Sequence, residues 1–378
     1  MAKTGLAKPK VAIACQGGGS QTAFTAGVLK GLVDQQVGRY FNVVTISGTS
    51  GGAVCAALLW FGFWKNERPL CRRLVDFWKD LTARDWAENA FNDAIVRGLR
   101  RINSGLLPAF QLSPSSPFVQ TMLGWTTAGL RKTFTDFPTV LRKHIDFDEI
   151  ATWGPRLEPP VLILGAANVS TGQLAKFVSR QEPIRLEHIL ASAAVPSIFP
   201  AVPIGEHGYW DGLFSDNPPV EELIRPRSVG PENVPEEIWV IKINPTTYSS
   251  VPERPETIFD RRNQMEGNIS LFQQLDHLEL LNDMLLDDAF RPEYLARFDI
   301  KAPIRIPKSF KTDPDRPYYI PWIEMPDEVQ ETLDYQGKID RSPENINRLI
   351  ELGEAAARTF LTQRAAAVAA NPRLEGPT

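Results

Sequence analysis

The residues best suited to chemistry in this chain are a glycine-framed serine, a run of three glycines and an aspartate in an aromatic turn. Residues 45–55 read TISGTSGGAVC, with Gly48 two before and Gly52 two after Ser50. A turn tight enough to present a serine hydroxyl at the end of a strand needs small residues at both positions, and Gly51 adds room. The apolar helix expected to follow would aim its N-terminus at the reacting centre. A glycine-rich turn with a helix-capping serine is the alternative for this stretch taken alone.

The second stretch is CQGGGSQTAF, in which Gly17, Gly18 and Gly19 end a strand-like run and precede a helix. Their unobstructed backbone N–H groups suit a phosphate or an oxyanion. A dinucleotide fingerprint fails at its third glycine, where Thr22 stands, and no Gly-Lys-Ser/Thr follows for a P-loop. An oxyanion hole is the better reading. A base is then needed, and the four histidines (His144, His188, His207, His277) lack catalytic context. Asp211, in GYWDGLFSDNPP, is the conspicuous candidate, with a plain Asp-Gly turn as its alternative.

These residues need elements to position them. KVAIACQ and FNVVTIS read as strands, each followed by a glycine turn and a helix, over Ser20–Val33 and Gly51–Phe63. That repeated order is the pattern of an α/β parallel sheet. Residues 65–155 read as helical, with a break at LSPSSP. Strands resume at PPVLILGAANV, AKFVS and EIWVIKI. Helices are expected at 258–289 and 342–368, separated by a proline-rich stretch over 302–326. Ser342-Pro343 makes a good helix start.

With 378 residues the chain can bury a large core, and its net charge of −4 gives no global attraction to nucleic acid. The three cysteines (Cys15, Cys55, Cys71) show no metal-ligand spacing and fit a reducing compartment. No metal site or cofactor is expected. No run of about 18 apolar residues occurs, so no membrane-spanning helix is expected.

Four motifs in order, QGGGSQTAFTAGVLKGL, SGTSGGA, ASAAVPSIFPAV and YWDGLFSDNPP, together resemble the patatin-like phospholipases. The resemblance covers about residues 10–220 and implies a three-layer α/β/α sheet with a helical insertion and a helical C-terminal region. On this reading 8–250 is the catalytic domain, 65–155 is an insertion or cap, and 251–370 packs on it. The resemblance implies a Ser–Asp dyad that cleaves acyl esters without metal or histidine. Ser50 would be the nucleophile, Asp211 the base, Gly17, Gly18 and Gly19 the oxyanion hole, and Gly48 and Gly52 the elbow glycines. Two departures stand out. Gln21-Thr22 occupies positions where the family usually has a glycine, often after a basic residue, and Leu213 replaces a small residue after Asp211-Gly212.

The substrate expected is a phospholipid or another acyl lipid met at a membrane or lipid interface, with no nucleic-acid partner. The chain is expected to be cytoplasmic, visiting membranes peripherally. AALLWFGFW (56–64) reads as a core helix that could extend into an acyl pocket, and Trp78, Trp86, Trp125 and Phe110 as lining or packing residues of the insertion. The basic cluster at 99–101 reads as a solvated helix face. The rival readings are a Ser–His–Asp carboxylesterase or thioesterase using His277, and a catalytically silent lipid-binding module.

Overall fold

A computed structural model describes residues 8–108, 116–196, 198–248, 250–305 and 321–370. Strand β1 (Lys10–Cys15) runs into a 3-10 turn over Gly19–Thr22, and helix α1 (Ala23–Asp34) follows. Strand β2 (Asn42–Gly48) leads in the same way into α2 (Gly51–Trp64). The next segment is helical among its described residues: α3 (Arg72–Leu81), α4 (Trp86–Asn103), α5 (Pro117–Thr126), α6 (Lys132–Thr135), α7 (Phe137–His144) and α8 (Phe147–Trp153). Asp85 and Asp136 each accept from a backbone N–H in the first turn of the helix they precede, which satisfies donors a helix start leaves open.

Then come β3 (Val161–Asn168), β4 (Leu174–Val178), α9 (Leu186–Ser192), β5 (Val202–Ile204) and β6 (His207–Asp211). The chain continues through α10 (Pro226–Val229), β7 (Glu237–Ile241), α11 (Pro255–Leu286) and α12 (Pro292–Arg297). It closes with β8 (Trp322–Ile323), α13 (Asp327–Gln330) and α14 (Pro343–Ala370). The helix start expected at Ser342-Pro343 is therefore where α14 begins. The stretch 302–326, expected only to separate helices, contributes β8, which pairs in parallel with β7 through Val240 and Ile241. Two residues are too short to show alternation, so the sequence carried no strand signal there.

The strands form one eight-stranded sheet in the order β5-β6-β3-β2-β1-β7-β8, with β4 also paired to β3. β1, β2, β3 and β7 are mutually parallel. Alternate residues of each strand enter different cores: Val11, Ile13, Leu162, Leu164 and Trp239 face one, and Ala12, Ala14, Val161, Ile163 and Ile238 face the other. Both faces are therefore covered, as a parallel sheet requires, and this is why the strands read as unbroken apolar runs. The larger core draws on α1, α2 and α14, and the smaller on α11. The fold is the expected three-layer α/β/α sheet. Among the described residues, no helix is long and apolar enough to cross a membrane.

Candidate active site

The two turns that carry Ser50 and the glycine run leave the same end of neighbouring parallel strands, because Cys15 pairs with Gly48 in register. Ser50 follows β2 with φ 56° and ψ −131°, a backbone conformation that a side chain rarely adopts. A Cβ on Gly48 would stand 2.5 Å from the Gly52 carbonyl oxygen, and one on Gly52 would stand 2.3 Å from that of Cys15. Both positions therefore exclude any larger residue, and the serine is pushed up at the mouth of α2. Ser50 as a whole keeps 9% exposure.

Asp211 arrives from the other direction. β2 occupies β3 up to Leu164, and β6 pairs with β3 from Ala166, which lies opposite Asp211. The two attachment points are roughly 7 Å apart along β3, so β6 takes over where β2 stops and delivers its last residue beside the elbow. The segment after α9 straps the two together. Ser192 accepts the Ser50 N–H through both its carbonyl and hydroxyl oxygens at 3.1 Å. The Ala194 carbonyl accepts the Asp211 N–H at 2.9 Å. The Thr49 hydroxyl donates to the Asp216 carbonyl at 2.6 Å, tying the elbow to the loop after Asp211.

The Asp211 carboxyl has no exposure. Its Oδ1 accepts the Leu213 N–H at 2.8 Å, so the large residue at 213 contributes only its backbone to the carboxyl. Its Oδ2 has no hydrogen-bond partner of full geometry. Burial pushes the carboxyl up to about 7, while the Leu213 N–H, the Ser50 hydroxyl and the positive charge of Lys338 pull it back. A carboxyl poised near neutrality is basic enough to take a proton from an alcohol. The looseness at Oδ2 suits a site whose catalytic hydrogen bond tightens only with substrate bound.

The glycine run divides into two. Gly17 donates its N–H to Asn217 Oδ1 at 2.7 Å. That commitment takes it out of the expected set of oxyanion donors and makes it an anchor for the loop. The amides of Gly18 and Gly19 make no hydrogen bond to the described residues. Gly19 has φ 56°, and its carbonyl accepts from the Thr22 hydroxyl at 2.5 Å. Thr22, half of the departure at Gln21-Thr22, thus closes the loop on itself. Gln21, the other half, donates from Nε2 to the Asp334 carbonyl at 3.0 Å, reaching a segment near the C-terminal end of the chain.

The histidines are engaged elsewhere. His277, on α11, is half-exposed and bonds Glu221 through Nδ1. His144 pairs with Asp80, and His188 stacks flat on Phe177 at 4.1 Å between ring centres. His207 is exposed on β6. No described histidine bonds Ser50 or Asp211, so the geometry of a triad through His277 is not present. Among the described residues, no group of three His, Cys, Asp or Glu could hold a metal ion.

Outside the site, Ala56–Gly62 of α2 is buried, so that stretch packs the core. Trp78 is buried in the core, while Trp86 and Trp125 stand 85% and 80% exposed on the insertion. Phe110 lies outside the described residues. Of the basic cluster, Arg100 pairs with Asp334 at 3.0 Å and Arg101 is exposed on the same helix.

Four residues near the site carried no functional expectation: Gln16, Ser192, Asn217 and Lys338. Ser192 and Asn217 lie inside quoted motifs, and their role as backbone clamps is visible only in three dimensions. Lys338 lies far beyond any motif.

Comparison with known proteins identifies the family. A family model described as patatin-like phospholipase matches residues 13–224, which include Ser50, Asp211 and the glycine run. Comparison with curated proteins gives no match. Among solved structures, VipD from Legionella pneumophila is 16% identical over 94% of this chain and 67% of its own. Its TM-score of 0.39 is too low to support any inference. With more than half of its length matched by the family model, the chain belongs to the patatin-like phospholipase family, a family of lipid acyl hydrolases.

Proposed function

We propose that this protein cleaves carboxylic esters of phospholipids or other acyl lipids through a Ser50–Asp211 dyad and an acyl-enzyme. The observation that carries the reading is a fully buried carboxyl, raised to about 7, set beside a serine held at positive φ on a strand-to-helix turn. Ser50 Oγ attacks the ester carbonyl carbon as Asp211 takes its proton, and the leaving alcohol departs with that proton. Water then enters, gives a proton to Asp211 and its oxygen to the acyl carbon; the bond from the acyl carbon to Ser50 Oγ breaks, and Asp211 returns the proton to Oγ as the fatty acid leaves. The amides of Gly18 and Gly19 face the oxyanion in both steps, a contribution worth about 10²–10³ in kcat per donor in other hydrolases.

Ile198 and Phe199, both more than 40% exposed, follow the strap that holds the Ser50 N–H. They offer an apolar surface on which an acyl chain can lie as the protein meets a lipid interface. The test is hydrolysis of p-nitrophenyl esters of graded chain length, and of phospholipid vesicles, by wild type, Ser50→Ala and Asp211→Ala. Turnover by wild type and loss in both folded variants supports the dyad. Full activity in Asp211→Ala means another base serves Ser50, and a wild type inert towards every ester means a lipid-binding module.

A further inference from the structure

Residues 334–338 lie beyond the matched family region, yet they pack directly on the glycine loop. A Cβ on Gly19 would stand 2.1 Å from the Lys338 carbonyl oxygen, so the two backbones touch there and only glycine fits. Gln21 reaches the same segment through the Asp334 carbonyl. Insertion helix α4 presses on it from outside, with Arg100 on Asp334 and Asn92 on Asp340.

The Lys338 side chain is held by two asparagine amides. Its Nζ donates to Asn244 Oδ1 at 2.9 Å and to Asn263 Oδ1 at 2.6 Å, and it forms no ion pair among the described residues. Asn244 is itself fixed by Gln16, whose Oε1 accepts the N–H groups of Ile243 and Asn244 at 2.8 Å. The amide of Gln16 donates to Asn268 Oδ1 and to the Gly267 carbonyl, and the Gly267 carbonyl also accepts from Asn217, the residue that clamps Gly17. One buried polar network therefore joins the lysine to the loop.

We propose that Lys338 is a positioning residue for the Ser50–Asp211 pair: its carbonyl fixes Gly19, and its ammonium, held by two neutral amide oxygens of the network that clamps Gly17, brings a positive charge to the site. The proposal rests on Ser50 and Asp211 being the reacting pair. It also gives a purpose to the departure at Gln21, because the cation enters from a distant segment that Gln21 helps to dock.

The charged groups facing Lys338 are Asp211 from β6, and Asp260 and Glu266 from α11. Asp211 is faced by one charged group, Lys338, and by two neutral donors, the Ser50 hydroxyl and the Leu213 N–H. Burial pulls the ammonium down to about 8, and the three carboxylates hold it up. It therefore stays protonated where Asp211 titrates.

The experiment is the pH profile of kcat/KM on a p-nitrophenyl ester for wild type, Lys338→Met and Asp211→Asn, with thermal melting to confirm folding. The charge of Lys338 pulls the Asp211 carboxyl down, so its removal should raise it, by about one unit for an opposite charge of this kind. Lys338→Met is thus expected to move the acidic limb up by about one pH unit, cutting kcat/KM about tenfold below the limb. The alkaline plateau should change far less. A merely structural role would lower the whole profile without moving the limb, and an unmoved limb overturns the proposal. If Lys338→Met does not fold, Asn263→Ala removes one holder of the ammonium from a half-buried helix position. A smaller upward shift then supports the role, and no shift overturns it. If Asp211→Asn keeps the wild-type rate, the dyad itself has failed. If Asp211→Asn is inactive while Lys338→Met leaves the limb in place, the role of Lys338 alone has failed.

Discussion

Asp211 and Glu237 are both fully buried, and both belong to strands of the same sheet, β6 and β7. Glu237, at the start of β7, is saturated. Arg364 donates to both of its oxygens, Arg305 to Oε1 at 3.0 Å and the Trp239 indole to Oε2 at 2.9 Å. Asp211 has one backbone N–H, a neighbouring hydroxyl, a lysine held away by amides, and one oxygen without a full partner. A carboxylate surrounded by charged donors is fixed in place and ties α14 to the sheet. One that is desolvated and under-satisfied is left able to accept a proton. Burial alone does not separate a structural acid from a reactive one; the count and charge of its donors does.

The contrast can be broken or sharpened by substitution. The largest effect expected is from Ser50→Ala, a loss of at least about 10³-fold in kcat/KM on a p-nitrophenyl ester with folding retained. Next, Arg364→Met strips Glu237 of its two strongest donors. It is expected to destabilise the protein by about 3 kcal/mol in urea unfolding, because the buried charge is left to Arg305 and the Trp239 indole. The same variant should leave the acidic limb of the activity profile in place.

Asp211→Asn should do the reverse, abolishing activity while stabilising the fold. The carboxyl sits at about 7 in the folded protein against 3.8 for the ordinary value. The folded state thus holds a proton the unfolded state has released. Stability from that proton is complete below the unfolded value and is lost as pH rises through the folded one. Asn has no such dependence, so its advantage should be absent in acid, grow between those two values and level off above neutrality. The gain should amount to a few kcal/mol, about 4 at most. Melting temperatures of both proteins across pH read this directly.

A smaller effect is expected from Ser192→Ala, which removes one of two acceptors of the Ser50 N–H. It should cost about 1 kcal/mol of stability and about tenfold or less in kcat. The smallest is from His277→Ala, where activity should stay within about twofold because its partner Glu221 lies outside the site.

How much of this was legible in the sequence depended on whether a residue acts through its neighbours in the chain. The elbow was, because a serine framed by small residues marks the turn locally: Gly48 is crowded by Gly52, four residues on, although Gly52 itself is crowded by Cys15 of the neighbouring strand. The strands were too, because burial on both faces leaves an apolar run. The commitment of Gly17 was not, since its partner Asn217 is two hundred residues away and nothing local marks that contact. Lys338 was invisible for the same reason: its role comes from a network through Asn244 and Gln16 that exists only once α11 and the sheet are packed. The departures at Gln21 and Thr22 could be seen in the sequence, but their partners could not. Glu237 and Arg364, the strongest structural pair, look like ordinary charges in the chain.

The central claim, that Ser50 is activated by Asp211, is tested most directly by labelling with a fluorophosphonate and locating the adduct by mass spectrometry across pH. The account predicts a single adduct on Ser50, formed at a rate that rises with an apparent pKa near 7 and collapses in Asp211→Asn. Labelling of a different residue, or a rate on Ser50 that Asp211→Asn leaves unchanged, would contradict it.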